Sequence, residues 1–400
     1  FGIFYGLLTY FFFIIDIKKP FSNLLLFSLL FGLVEFLRGN ILTGFPWNLI
    51  AYSFSENLEV LQILSLIGTY GFNILCISFF ASPAIFIIRE NRKEIFICIC
   101  FLISPIILFS IGSNNIRSFQ SSDFTKNDYT LRVIGSKIDL NRFYENSETT
   151  DVIKELIELS QPDLNKKTIF IWPEGIIPNI SQEEIKEFEY LFNKNFNQNH
   201  LLVIGITSYK KNNNQYQFYN TFSIFDHKLN LISDYKKVKL VPFGEFLPFE
   251  KILGKIGLKS LTNNYQSFSS GKIRKILSIS KEGFDLKILP LICYEIIYSG
   301  NIFKNSNFDL IINISEDGWF GDSIGPHQHY VHSVFRAIEN GKYLLRSANN
   351  GISVIIDPTG KIESKINFGQ SGYIDFKGKR DFGETVFLRH GNKMFLIIIL

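Results

Sequence analysis

The feature that most constrains this chain is the uneven placement of its apolar residues. Up to about Phe119 the sequence is mostly Phe, Ile and Leu; beyond it, charged and turn residues appear at ordinary density. A bilayer-spanning helix takes roughly 20 mostly apolar residues and can be as short as about 17. Phe21 to Leu37, Tyr70 to Ile88 and Ile95 to Ile111 meet that length, and Phe1 to Ile15 reads as the remainder of another such helix. A signal peptide would explain one apolar stretch, not four in succession. The chain therefore divides into a membrane part and a water-exposed part. It opens without Met inside one apolar run and closes inside another, Met394 to Leu400, so the expectation is a fragment cut within a membrane helix at each end.

Short loops set the orientation. Lys18 and Lys19 lie in one, Arg89, Arg92 and Lys93 in another, and the loop between them, Arg38 to Glu59, holds Arg38 alone. The positive-inside rule puts the first two in the cytoplasm, so one more crossing carries Gly112 to Asn392 to the far side. In a bacterial inner membrane that side is the periplasm. Lys and Arg (41) barely exceed Asp and Glu (37), which gives no reason to expect a nucleic-acid partner. The cysteines are Cys76, Cys98, Cys100 and Cys293, without disulfide-framework or zinc spacing.

The water-exposed part reads as an alternating α/β domain. The runs "YTLRVIGS", "TIFIW", "LLVIGITS", "LKILPLIC", "FDLIINIS" and "GISVIID" are short, apolar and β-branched, as buried strands are. Between them lie helical patterns: "TTDVIKELIELS", then "SQEEIKEFEYLFNKNF" with capping-box spacing of Ser181 and Glu184, and "HQHYVHSVFRAIENG" closed by a Gly. Sheets of this kind place chemistry at the carboxyl ends of strands. Glu174 follows "TIFIWP" and Cys293 follows "LKILPLI"; between them Lys237 precedes a Pro-Phe-Gly turn and Glu245. A thiol with an ordinary pKa near 8.5 is mostly protonated at neutral pH and needs a base or a cation to act as a nucleophile. Glu174 could be that base and Lys237 that cation. Each also has an ordinary reading: a solvated loop carboxylate, a solvated lysine, an inert packed thiol.

Glu, Lys and Cys in this order and in these contexts resemble the nitrilase, or carbon-nitrogen hydrolase, superfamily, whose members fold as α-β-β-α sandwiches. Within it, the chain is most similar to the apolipoprotein N-acyltransferase family of membrane enzymes. The likeness runs through "EFLRGNILTGFPWNLIAYS", "IGTYGFNIL", "IWPEGIIP", "YKKVKLVPFGEFLP", "ICYEI", "NISEDGWFGDSIGPHQH" and "RAIENGKYLLRSANNGISVIIDPTG". It implies a nitrilase-like α-β-β-α sandwich flanked by transmembrane helices, with 1–116 as the membrane region, 117–392 as the periplasmic catalytic domain and 393–400 as the start of a further helix. Carried over residue by residue, it makes Glu174 the general base, Lys237 the oxyanion-stabilising cation and Cys293 the acylated nucleophile. Glu245 matches a supporting Glu, Tyr294 and Glu295 the pair after the nucleophile, and Trp319 the Trp of an Asp-x-Trp motif. The implied reaction is ping-pong acyl transfer. A phospholipid, typically phosphatidylethanolamine, acylates the cysteine, and the α-amine of a diacylglyceryl-cysteine on an apolipoprotein takes the acyl group. Neither metal nor nucleotide cofactor is implied.

Several positions depart from the family pattern. Lys236, Lys237 and Lys239 compete for one role, and spacing to "LVPFGE" favours Lys237. A Trp expected early in the domain is absent, with Phe143 or Tyr144 nearby, and Glu316 stands where an Asn is usual. His327, His329 and His332 have metal-like spacing but match a structural stretch. Trp47 reads most simply as an interface anchor, and Glu35 and Arg38 as structural. After Glu245, the apolar residues Phe246, Leu247, Phe249, Ile252, Leu253, Ile256, Leu258 and Leu261, with Lys251, Lys255 and Lys259 among them, suggest an arm that dips into the bilayer. Two other functions fit the same residues: a membrane-tethered hydrolase that uses water as acceptor, and an inactive lipoprotein-binding scaffold.

Overall fold

The computed structural model describes residues 2–15, 17–143, 148–212, 215–248, 267–300 and 307–400. Three helices among them are long and apolar enough to cross a bilayer: Pro20–Asn40, Leu64–Ile88 and Arg92–Ser121, with a shorter apolar helix, Gly2–Ile15, ahead of them. The last of the three runs well beyond the expected Ile95 to Ile111. Its start is fixed by a capping box in which the Asn91 side chain accepts from the backbone of Lys93 and Glu94 while the Glu94 carboxylate reaches back. The Leu64–Ala81 stretch breaks at Gly68, whose φ of 69° suits glycine. The backbone N–H and hydroxyl of Thr69 beyond the break both donate to Glu339 Oε1 (2.8 and 2.6 Å). Near the end of the chain, Lys393–Ile399 forms a helix whose Phe395 stacks on Phe36 at 4.5 Å.

Among the described residues, twelve strands form two six-stranded sheets of matching plan. In the first, β1 (Phe124–Gly135), β2 (Thr168–Ile171) and β3 (His200–Asn212) run parallel, β12 (Gly372–Arg380) pairs antiparallel beside β1, and β4 (Gln215–Asp226) and β5 (Leu231–Lys236) continue antiparallel from β3. In the second, β7 (Phe284–Ile292), β8 (Leu310–Glu316) and β9 (Tyr343–Asn349) run parallel, β6 (Leu277–Lys281) flanks β7, and β10 (Ser353–Ile356) and β11 (Ile362–Ile366) follow β9. Strands β2 and β8 are buried along their whole length, as strands covered on both faces are.

The sheets pack face to face through Val133, Ile171, Val203 and Phe222 on one side and Ile288, Ile312, Ile314 and Leu345 on the other. The outer face of the first sheet is covered by the Thr149–Ser160 helix, whose Val152, Ile153, Leu156 and Ile157 make the expected apolar stripe. The outer face of the second sheet is covered by the Gly325–Asn340 helix, closed by Gly341 at φ 60°. That helix in turn packs against the membrane half, through Leu61, Leu64, Tyr70 and Phe72. The layers therefore run from membrane helices to helix, sheet, sheet and helix.

One expected helix is not formed. From Ser181 to Phe196 only a 3-10 turn, Ile185–Phe188, and a single α turn, Glu189–Phe192, are present. Ser181 instead makes a bridge with Thr207, and the Gln182 N–H donates to Thr207 O (2.7 Å), so the start of the segment is committed to the sheet edge. The Glu184 carboxylate still accepts from the Ser181 N–H and hydroxyl. Of the apolar run after Glu245, Phe249 to Leu261 lie outside the described residues, as does Tyr144.

Candidate active site

The carboxyl ends of the two sets of parallel strands meet at one edge, where Ser136 after β1 bridges Asn349 at the end of β9. Glu174 follows β2 on a loop that lies against Gly205 of β3. A Cβ on Gly205 would stand 2.5 Å from Glu174 Cα and from Pro173 O, so the close approach requires glycine. Cys293 follows β7 and begins a five-residue 3-10 turn with φ 47°, a left-handed conformation that costs a non-glycine residue about 1–3 kcal/mol. Strain of this size persists only where surrounding contacts impose it, and here Glu295 does so. Its buried carboxylate accepts from the Ile292 N–H (3.0 Å), the Tyr235 hydroxyl (2.7 Å) and the backbone N–H groups of Val238 and Lys239 (3.0 and 3.1 Å). One side chain thus ties the thiol's turn to the segment that carries Lys237.

Lys237 is buried, with Nζ 3.1 Å from Glu174 Oε1 and 2.9 Å from Glu245 Oε1. Asn220, on β4, donates from Nδ2 to the same two oxygens (2.7 and 2.9 Å). Glu245 Oε2 accepts from the Val241 N–H (2.8 Å), and Glu174 Oε2 from the Glu316 N–H (2.9 Å). A carboxylate has about four acceptor positions. Glu174 therefore keeps capacity on Oε2 for one more proton. Burial works against the Lys237 charge, but Glu174, Glu245 and Cys293 together outweigh it and hold the ammonium well above its usual pKa. Burial and the Glu174 charge push the Cys293 thiol well up, against the pull of Lys237. The resting pair is an ammonium and a protonated thiol.

The flanking lysines are otherwise engaged: Lys236 Nζ lies 4.1 Å above the Tyr219 ring and Lys239 Nζ 5.2 Å from the Tyr298 ring. Glu316 is buried in an ion pair with Arg142 and accepts from Asn349 Nδ2 (2.8 Å); burial raises its pKa to about 7. His329 contacts Asp317 Oδ1 (2.9 Å) and the Cys293 carbonyl (3.3 Å), His332 packs on Tyr52, and His327 faces Phe368.

These groups open onto a cavity of about 1430 Å³, more than the roughly 300–1,000 Å³ of ordinary small-molecule sites. Glu174, Lys237, Glu245, Cys293, Tyr294 and Trp319 all line it. Glu295 does not: it acts through the backbone. Trp319 stacks on Phe143 at 5.8 Å. Trp47 is not a lipid-facing anchor. It lines the cavity, donates from Nε1 to Gln328 (2.7 Å) and packs on His329 and Phe320, because Arg38 holds the Phe45 carbonyl (2.6 Å) and folds the loop inward. The hydroxyls of Tyr294 and Tyr298 fasten the same loop by donating to Gly44 O (2.9 Å) and Thr43 O (2.9 Å).

Residues 135–377 match the carbon-nitrogen hydrolase family, and residues 1–82 match the apolipoprotein N-acyltransferase N-terminal domain. The apolipoprotein N-acyltransferase of Rickettsia prowazekii is 35% identical over 384 residues, 94% of this chain and 74% of that protein. That of Bradyrhizobium diazoefficiens is 32% identical over 375 residues, 90% of this chain and 68% of that protein. The chain belongs to the apolipoprotein N-acyltransferase family. A nitrilase-superfamily protein of Saccharomyces cerevisiae, at 16% identity, matches 64% of this chain and 93% of its own with a TM-score of 0.42. As an apolipoprotein N-acyltransferase, the chain is a membrane acyltransferase of lipoprotein biosynthesis built on a carbon-nitrogen hydrolase domain. Arg142, Asn220 and Gly205, which no motif in the sequence marks, complete the surroundings of its site together with Ser315 of the "NISEDGWFG" run.

Proposed function

We propose that Cys293 of this acyltransferase takes an acyl chain from the sn-1 ester of a phospholipid, phosphatidylethanolamine, and passes it to the α-amine of a diacylglyceryl-cysteine at the N-terminus of an apolipoprotein. Glu174 accepts the thiol proton as sulfur attacks the ester carbonyl, and returns it to the departing lysophospholipid oxygen as the C–O bond breaks. In the second half the neutral amine attacks the thioester, Glu174 takes a proton from the nitrogen, and the proton goes to the departing thiolate. Lys237 steadies the oxyanion in both halves. The observation that supports this reading best is the Lys237 ammonium set between Glu174 and Glu245 in the cavity that Cys293 opens onto. The charge asymmetry of the short loops supports an inner-membrane protein with 117–392 in the periplasm, 1–116 as its membrane region and 393–400 as part of a further helix.

Mass spectrometry of the protein purified from membranes tests the reading. A hydroxylamine-labile acyl group is expected on Cys293, lost in Cys293→Ala and kept when Cys76, Cys98 and Cys100 are replaced by Ala. An adduct that survives in Cys293→Ala overturns the assignment. Release of free fatty acid in place of transfer would make the protein a hydrolase.

A further inference from the structure

We infer that the end of the cavity farthest from the membrane half takes the polypeptide that follows the lipid-bearing cysteine of the acceptor, an inference that rests on the acyl-transfer reading above. The cavity has two unlike ends. Phe45 and Trp47 of the loop between membrane helices, with Phe320 and Ile324, wall one of them. Ile180, Glu184, Thr207, Tyr209, Tyr216 and Phe218 wall the other. These belong to β3, β4 and the segment laid along β3, all in the first sheet, which the second sheet separates from the membrane helices. Glu174 and Lys237 connect to the second end through Asn220, two residues after Phe218 on β4, and Cys293 connects to the first through its carbonyl contact with His329, which packs on Trp47.

An acceptor cysteine carries its diacylglyceryl group on the side chain and its polypeptide on the carbonyl. With the amine at the thioester, the lipid must return toward the bilayer while the polypeptide leads into water. The apolar end beside the membrane helices suits the lipid, and the far end faces where the polypeptide must go. A phospholipid has no part that needs to reach so far, since its head group lies a few bonds from the ester.

The chemistry of the far end agrees. The rings of Tyr209, Tyr216 and Phe218 stand 5.4 to 6.3 Å from one another, a rigid surface with hydroxyls of the kind that binds peptide planes and small polar side chains at low entropic cost. Both oxygens of Glu183 lie 3.3 Å from the Tyr209 N–H. Glu184 Oε2 accepts from Ser181, and its Oε1 has no protein donor among the described residues. Glu184 is the charged residue of this end that lines the cavity, and Lys211 Nζ lies 5.6 Å from the Tyr216 ring. Neutral polar or basic residues fit there, and acidic ones are repelled.

The test compares acceptors on the full chain in phosphatidylethanolamine vesicles. Diacylglyceryl-cysteine amide, which has no polypeptide, is set against diacylglyceryl tetrapeptides with Ser, Lys or Asp after the cysteine. In Tyr216→Ala the ratio of transfer to the Ser peptide over transfer to the amide should fall by roughly three- to tenfold, what one aromatic contact is worth. Tyr216→Phe should restore most of it, and Glu184→Gln should narrow the preference for Lys over Asp. A ratio equal to wild type overturns the inference. So does an equal slowing of lysophospholipid release in the absence of acceptor, which would assign this end to the donor head group. A wild-type protein that forms no thioester on Cys293 would overturn the underlying reading instead.

Discussion

Asn220 Nδ2 donates to Glu174 Oε1 at 2.7 Å and to Glu245 Oε1 at 2.9 Å, so one neutral side chain holds two carboxylates at a common distance from Lys237. Hydrogen bonds to charged groups contribute about 1.5–3 kcal/mol each. Asn220→Ala should therefore slow thioester formation by about tenfold or more, read as lysophospholipid release in a single turnover. Asn220→Asp should be slower still, because it places a third negative charge beside Glu174 and Glu245. A wild-type rate for Asn220→Asp beside a slow Asn220→Ala would mean that the amide serves only to fill space.

Lys236, Lys237 and Lys239 differ in surroundings more than in sequence. Lys237 alone of the three has its ammonium between the two site carboxylates, while its neighbours lie over tyrosine rings. Loss of Lys237 should raise the acylation barrier by about 2.7–4 kcal/mol, as loss of one oxyanion donor does. Lys236→Ala and Lys239→Ala should cost far less. A larger defect in the Lys239 variant would show that the chain works in another register.

The reactivity of Cys293 with pH should separate two of the charges that act on its thiol, Glu174 and Lys237. Burial and Glu174 raise its pKa and Lys237 lowers it. In protein lacking the other cysteines, alkylation by iodoacetamide should rise only above the ordinary thiol range. Glu174→Gln removes an anion that disfavours the thiolate, so the midpoint should shift to lower pH even as acylation by phospholipid is lost. Lys237→Ala removes a cation that favours the thiolate, so the midpoint should shift to higher pH. A shift in the same direction for both variants would contradict this account.

Gly205 does not line the cavity, yet its replacement should be nearly as damaging as loss of the Glu174 carboxylate. A Cβ there would overlap the backbone of Pro173 and Glu174 at 2.5 Å, and backbone cannot give way as a flexible side chain does. A displacement of about 1 Å at a reacting group can cost on the order of a hundredfold in rate. Gly205→Ala is expected to lose that much single-turnover acylation while remaining folded by its melting transition. Wild-type rates would show that the Glu174 loop tolerates the shift.

The sequence by itself determined the long apolar helices, the glycine that closes the Gly325–Asn340 helix and the strands that lead into Glu174 and Cys293, because each is a property of one short stretch. Hydropathy over some 20 residues needs no partner to be read, and an apolar run closed by Pro-Glu or Cys-Tyr-Glu marks a strand and its end. The polar edge strands β11 and β12 lack such a run and are defined only by the strands they pair with. The same holds for the segment from Ser181, where a helical pattern yields to pairing with Thr207.

Only the tertiary structure decided how the site is held. Asn220 reaches across 46 positions to Glu174, Arg142 across 174 to Glu316, and the Tyr294 hydroxyl across 250 to Gly44. It turned Trp47 from the bilayer toward His329, and it gave Glu295 the task of joining the Cys293 turn to the Lys237 segment. Such pairings depend on which strand ends meet when the sheets stack. A buried polar group must find a partner wherever the fold supplies one, and its own sequence neighbours do not say where that is.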